Sequence, residues 1–162
     1  MRLVALFIVF ALVFVGCNTT NKMPKEIPDD FAFSVQFGIG SKNVIDSFNG
    51  VVIKDLIVAG TAEAKINFTQ EEMLNIYEKM KIINVLGSKD FVDDMSCSRE
   101  PSGDDVWKIR INGNEQTIQW SSEYCELSDD AKHFEDLRNF VLDIVKEKDE
   151  YKTLPEPKGG YE

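Results

Sequence analysis

The chain is poor in the residues that usually carry enzyme chemistry. It has one histidine, three cysteines, two tryptophans and five prolines among 162 residues. His133 is expected on the solvent side of a late helix among Asp129, Asp130, Glu135 and Asp136, and no Gly-x-Ser-x-Gly or His-Glu-x-x-His framework gives it a nucleophile or a metal to work with. Gly38-Ile39-Gly40 lies between strand-like runs, not at the start of a helix, so it reads as a turn and not as a phosphate loop. A catalytic role is therefore not expected. Basic runs are missing too: 18 Lys and Arg face 28 Asp and Glu, a net charge of −10, and a nucleic-acid backbone would be repelled. Even the longest apolar run is short. Residues 3 to 15 would span only ~20 Å as a helix, against roughly 30 Å of bilayer hydrocarbon.

That run follows Arg2 and ends at Phe14-Val15-Gly16-Cys17, the arrangement of a secretory signal with a small residue before the cut. Gly16-Cys17 resembles the lipobox of bacterial lipoproteins, whose cysteine carries a diacylglycerol and becomes the first mature residue. The resemblance implies a signal peptide at 1–16, a covalent lipid on Cys17 and an extracytoplasmic protein held at the membrane by that lipid; the alternative is a signal anchor in which Cys17 is incidental. Residues 17–30 are polar, contain Pro24 and Pro28, and read as a tether reaching ~40 Å when extended. The lipobox, the tether, an acidic domain and the Leu154-Pro155-Glu156 and Gly159-Gly160-Tyr161 end together resemble small lipoproteins of Gram-positive, Bacillus-type bacteria. This wider resemblance favours a single-membrane envelope and implies no reaction.

With Cys17 assigned to lipid, Cys97 and Cys125 remain as a pair in an oxidising setting, where a disulfide is expected. Two free buried thiols are the alternative. Redox or metal chemistry would call for closer spacing or His partners.

Periodicity predicts a single α+β domain over 31–150, ordered ββββαββα, with a mainly antiparallel sheet and two amphipathic helices on one face. Phe31, Phe33, Val35 and Phe37 alternate with smaller or polar residues; 43–48 and 51–58 form two β-rich runs about Asn49-Gly50, a type I′ hairpin signal; 61–68 alternates again. Thr69 to Glu72 forms a capping box ahead of a Met73, Ile76, Tyr77, Met80, Ile83 stripe. A second hairpin crosses Asn112-Gly113-Asn114 and puts Trp107, Ile109, Ile111, Ile118 and Trp120 on one face. Ser128 caps a last helix with Phe134, Leu137, Val141, Ile144 and Val145 inward. Residues 151–162 read as a loosely held tail.

The acidity is regional. Residues 31–89 are neutral, whereas 90–130 hold eleven acidic and three basic side chains. One group is Asp90, Asp93, Asp94, Glu100, Asp104 and Asp105; the other is Glu123, Glu126, Asp129 and Asp130. A Cys97–Cys125 bond would bring the two together, and like charges held close favour a cation or a basic partner. Asp93, Asp94, Asp104 and Asp105 are the candidate ligands for a divalent ion, although Asp-x-Asp-x-Asp-Gly spacing is missing. Two functional classes follow. One is a non-catalytic binding module whose acidic lobe meets a basic envelope protein or a divalent cation; the other is an envelope-maintenance lipoprotein whose charge is a solvated face.

Overall fold

The computed structural model describes residues 22–92 and 96–161. The signal segment and Cys17 lie outside them, as do Asp93 and Asp94. Six strands form one antiparallel sheet: β1 (Ala32–Phe37), β2 (Asn43–Asp46), β3 (Val51–Asp55), β4 (Thr61–Lys65), β5 (Asp104–Ile111) and β6 (Asn114–Ser121). Their spatial order is β4-β3-β2-β1-β5-β6, so β1 through β4 make a meander and the late hairpin adds beside β1. Helices α1 (Gln70–Ile82) and α2 (Asp129–Lys146) are followed by the short α3 (Asp149–Lys152). The ββββαββα order and the α+β class expected from the sequence are both present.

Cross-strand register explains the single core. Val35 pairs with Ile45 on one side and Trp107 on the other, Ile45 with Val52, and Trp107 with Ile118. Because side chains alternate along a strand, one apolar face runs across the whole sheet. Ile76, Tyr77 and Met80 of α1, with Phe134, Leu137, Val141 and Val145 of α2, bury that face. Trp107 is at its centre, 6.2 Å from Phe33 and edge-on to Phe134 at 6.2 Å. The helices start where predicted: Thr69 accepts from the Glu72 amide while Glu72 accepts from the Thr69 amide, and Ser128 accepts from Ala131.

Three local expectations change. The type I′ turn expected at Asn49-Gly50 is a four-residue link, 47 to 50, in which only Gly50 takes a positive φ. Asp46 organises it by accepting from the Phe48 and Asn49 amides. The two-residue turn with both φ positive is at Asn112 (51°) and Gly113 (77°), directly between the paired Ile111 and Asn114. Strand β3 stops at Asp55, three residues before its expected end. There the Asp55 carboxylate accepts from the Ile57 amide and the chain turns through a positive φ at Ile57.

The third change concerns the two polar ends. From Met23 onward, the expected tether lies against α1. Met23 joins the core, the Tyr77 hydroxyl donates to the carbonyls of Pro24 (2.8 Å) and Glu26 (3.1 Å), and Lys81 reaches the carbonyl of Lys25 (3.0 Å). Asp30 then accepts from the Asn112 and Gly113 amides. The tail expected to be loose returns to β3 and the turn after it. Tyr161 donates to Asp55, Lys54 pairs with Glu156 at 2.9 Å, and Lys158 bridges backbone-to-backbone with Ile57. Composition hid both contacts because backbone carbonyls and single polar side chains make many of them, and the apolar contribution comes from the scattered residues Met23, Ile27, Tyr151 and Leu154.

Candidate functional site

The predicted lobe forms at the end of the sheet where β5 begins and β6 finishes. Cys97 and Cys125 are disulfide-bonded with Cα atoms 5.5 Å apart, joining the two acidic loops. The join is reinforced beside the sulfurs. Cys125 donates its amide to the Cys97 carbonyl (3.1 Å), the Arg99 amide donates to Glu123 (2.7 Å), and Arg99 Nε donates to the Ser122 carbonyl (2.7 Å). At the root, the Gly103 amide donates to Ser122 Oγ, whose hydroxyl donates back to the Gly103 carbonyl. Gly103 is required by packing: a β-carbon there would meet the Gly38 carbonyl carbon at 2.8 Å.

Within this frame the carboxylates divide into two groups. Asp105, only 2% exposed, faces the helices, and both its oxygens accept from Arg138 Nη1 at 2.9 and 3.0 Å. Burial pushes its carboxyl up to about 6, outweighing the opposite pull of Arg138. Asp130 is likewise engaged, accepting from the Asp90 amide and from Lys89 Nζ. Burial opposes its ionisation, but those two donors and nearby His133 hold it below the usual carboxylate range. Glu100, Glu123 and Glu126, in contrast, are exposed and form no ion pair among the described residues.

The cation candidates do not come together. Asp104 and Asp105 are consecutive on β5 and project to opposite faces of the sheet, and Arg138 already holds Asp105. Asp93 and Asp94 lie outside the described residues. Among the described residues, no group of three or more His, Cys, Asp or Glu is placed to hold a metal. His133 is exposed on α2, as its position predicts.

Two features escaped sequence reasoning. Arg138 is one; its signal was an arginine beside Leu137 on an otherwise apolar stripe. The other is the cluster of Lys42, Asp55 and Tyr161, which no local pattern announces because its members are far apart in the chain. Burial pushes the Asp55 carboxyl upward, yet the Tyr161 hydroxyl, the Ile57 amide and Lys42 bring it below its ordinary value. This cluster borders a cavity of about 360 Å³ also lined by Asn43, Lys54 and Tyr151. Among the described residues, no helix is long and apolar enough to cross a membrane. Compared with protein family models, curated proteins and solved structures, the chain matches none.

Proposed function

We propose that this chain is a lipid-anchored, extracytoplasmic binding module without catalytic activity, tethered through Cys17 to a single-membrane, Gram-positive envelope, with the disulfide lobe as its contact surface. One observation carries this reading. The Cys97–Cys125 bond fixes an exposed, acidic pair of loops whose buried carboxylates are neutralised internally while Glu100, Glu123 and Glu126 face outward. A disulfide also suits the oxidising side of a membrane. Unspent, outward charge on a braced scaffold suits a basic envelope protein, and among the described residues no group of three or more His, Cys, Asp or Glu is placed there to hold a metal.

The test is cross-linking in native membranes with the wild type and with Glu100→Gln, Glu123→Gln, Glu126→Gln combined. A basic envelope protein cross-linked to the wild type at low salt, but not at high salt and not to the triple variant, supports the reading. Equal recovery with the triple variant, or no salt-sensitive partner at all, contradicts it and returns the lobe to a solvated face.

A further inference from the structure

The polar stretch after Cys17 would reach ~40 Å if all of it were free. It is not all free, since Met23 is in the core and the carbonyls of Pro24, Lys25 and Glu26 are bonded to α1. Only residues 18–21 separate Cys17 from Lys22. Five Cα-to-Cα steps reach at most ~17 Å. A lipid on Cys17 would therefore hold the seam between residues 22–30 and α1 at the bilayer surface, within about two screening lengths.

The surface beside that exit is suited to contact. Ile82, in the last turn of α1, is 77% exposed, and Leu74, two turns earlier, is 44% exposed. Beside Leu74, toward the start of α1, the seam opens into an apolar cleft of about 430 Å³ lined by Ile27, Phe31, Phe68 and Met73. Lys81 directly precedes Ile82 and touches the backbone of Lys25. Glu26, Asp29 and Glu78 are on the same side, with Glu78 paired to Lys81, so apolar contact and the short tether weigh more than net charge. Elsewhere among the described residues, Val58 and Val92 are the other large apolar side chains left exposed, Val58 where the tail meets the turn after β3 and Val92 next to the acidic lobe.

We infer that the outer face of α1, from Leu74 to Ile82 with the docked segment 22–30, is a lipid-contacting surface that rests on the bilayer and fixes the orientation of the domain. The inference relies on the proposed lipid at Cys17, and its test separates the two. With Cys97 and Cys125 joined, Cys17 is the only free thiol of the chain from residue 17 onward, and it can be coupled to a maleimide phospholipid in nanodiscs of phosphatidylcholine and phosphatidylglycerol. A spin label on the lipid headgroups then reports which amides approach the surface. Amides 79–83 should lose at least about twice as much signal as those of Val58 and Thr117, a contrast set by the steep distance dependence of the label across a domain held within ~17 Å of the bilayer. The double variant Leu74→Glu, Ile82→Glu changes only exposed side chains and should reduce the contrast to what the tether alone supplies; an unchanged contrast overturns the inference. Uniform loss, or greatest loss away from α1, overturns the inference. Protein purified from its own membranes supplies the second arm. If it lacks the lipid while the coupled chain shows the contrast, the anchor alone fails; if it carries the lipid and the loss is uniform, the contact surface alone fails.

Discussion

Residues 22–30 and the lobe formed by 96–103 and 122–128 are both polar stretches outside the sheet, yet they are held by opposite means. The first has no cross-link and is fixed by one buried methionine and by side chains of α1 and Asp30 that satisfy backbone groups. The second contributes little to the core beyond Leu127 and is held by a covalent bond, by Arg99, and at its root by the Asp105–Arg138 pair. The difference follows from charge. A near-neutral segment can dock on a helix at small cost, whereas two acidic loops repel and need a bond that does not weaken with their ionisation.

The largest expected effect comes from the lobe's buried root. Arg138→Met leaves the Asp105 carboxylate without a counter-ion and should cost about 3–5 kcal/mol at pH 7 in urea unfolding. The sign with pH is definite. Asp105 has a raised folded pKa, about 6, against roughly 3.9 unfolded, so its contribution is fully present below pH 4 and lost as pH rises through 6. The Arg138→Met penalty should therefore shrink on acidification to about pH 4.5, where a neutral carboxyl needs no partner. A penalty independent of pH would remove Asp105 from the explanation. Below pH 4 the trend reverses, because Asp55, Glu72 and Asp130 have lowered values and lose their stabilisation as pH falls.

Next in size is the cross-link itself. Cys97→Ala with Cys125→Ala opens a loop with a 28-residue separation and should cost about 3–4 kcal/mol on the chain-entropy account. Hydrogen exchange should quicken across 96–103 and 122–128 and stay unchanged in 22–30. Tyr77→Phe does the converse. It removes the hydroxyl that bonds Pro24 and Glu26, should cost about 1–2 kcal/mol, and should quicken exchange in 22–30 alone. If either change loosens both regions together, they form one cooperative unit and the contrast fails. Smallest is Tyr161→Phe, expected to cost about 0.5–1 kcal/mol, because Lys42 is exposed and the buried Asp55 carboxylate keeps the Ile57 amide as a donor. Its clearer signature is a rise in the Asp55 pKa, read by carboxyl NMR titration.

The sheet and helices were legible because Phe33, Val35, Trp107 and Ile109 keep period two, while Ile76, Tyr77, Met80, Phe134 and Val141 keep the helical period. Caps at Thr69 and Ser128 were legible for the same local reason. Turn geometry was only partly so: Asn-Gly occurs at 49–50 and Asn112-Gly113 lies at the later hairpin, and Asp46 decided the first by accepting two amides from its own turn. The disulfide followed from counting cysteines. What stayed hidden depends on long-range partners of polar atoms, such as Arg138 with Asp105, Tyr77 with the carbonyls near Pro24, and Tyr161 with Asp55. Asp104 and Asp105 looked like a ligand pair only because adjacency in sequence conceals that neighbours on a strand face opposite ways.

The account depends most on what is attached at Cys17. Mass analysis of the protein extracted from its own membranes should find a chain that begins at Cys17, carries diacylglycerol on that thiol and keeps Cys97 and Cys125 oxidised. A chain that begins at Met1, or an unmodified Cys17 thiol, would contradict the proposed anchor and the role built on it.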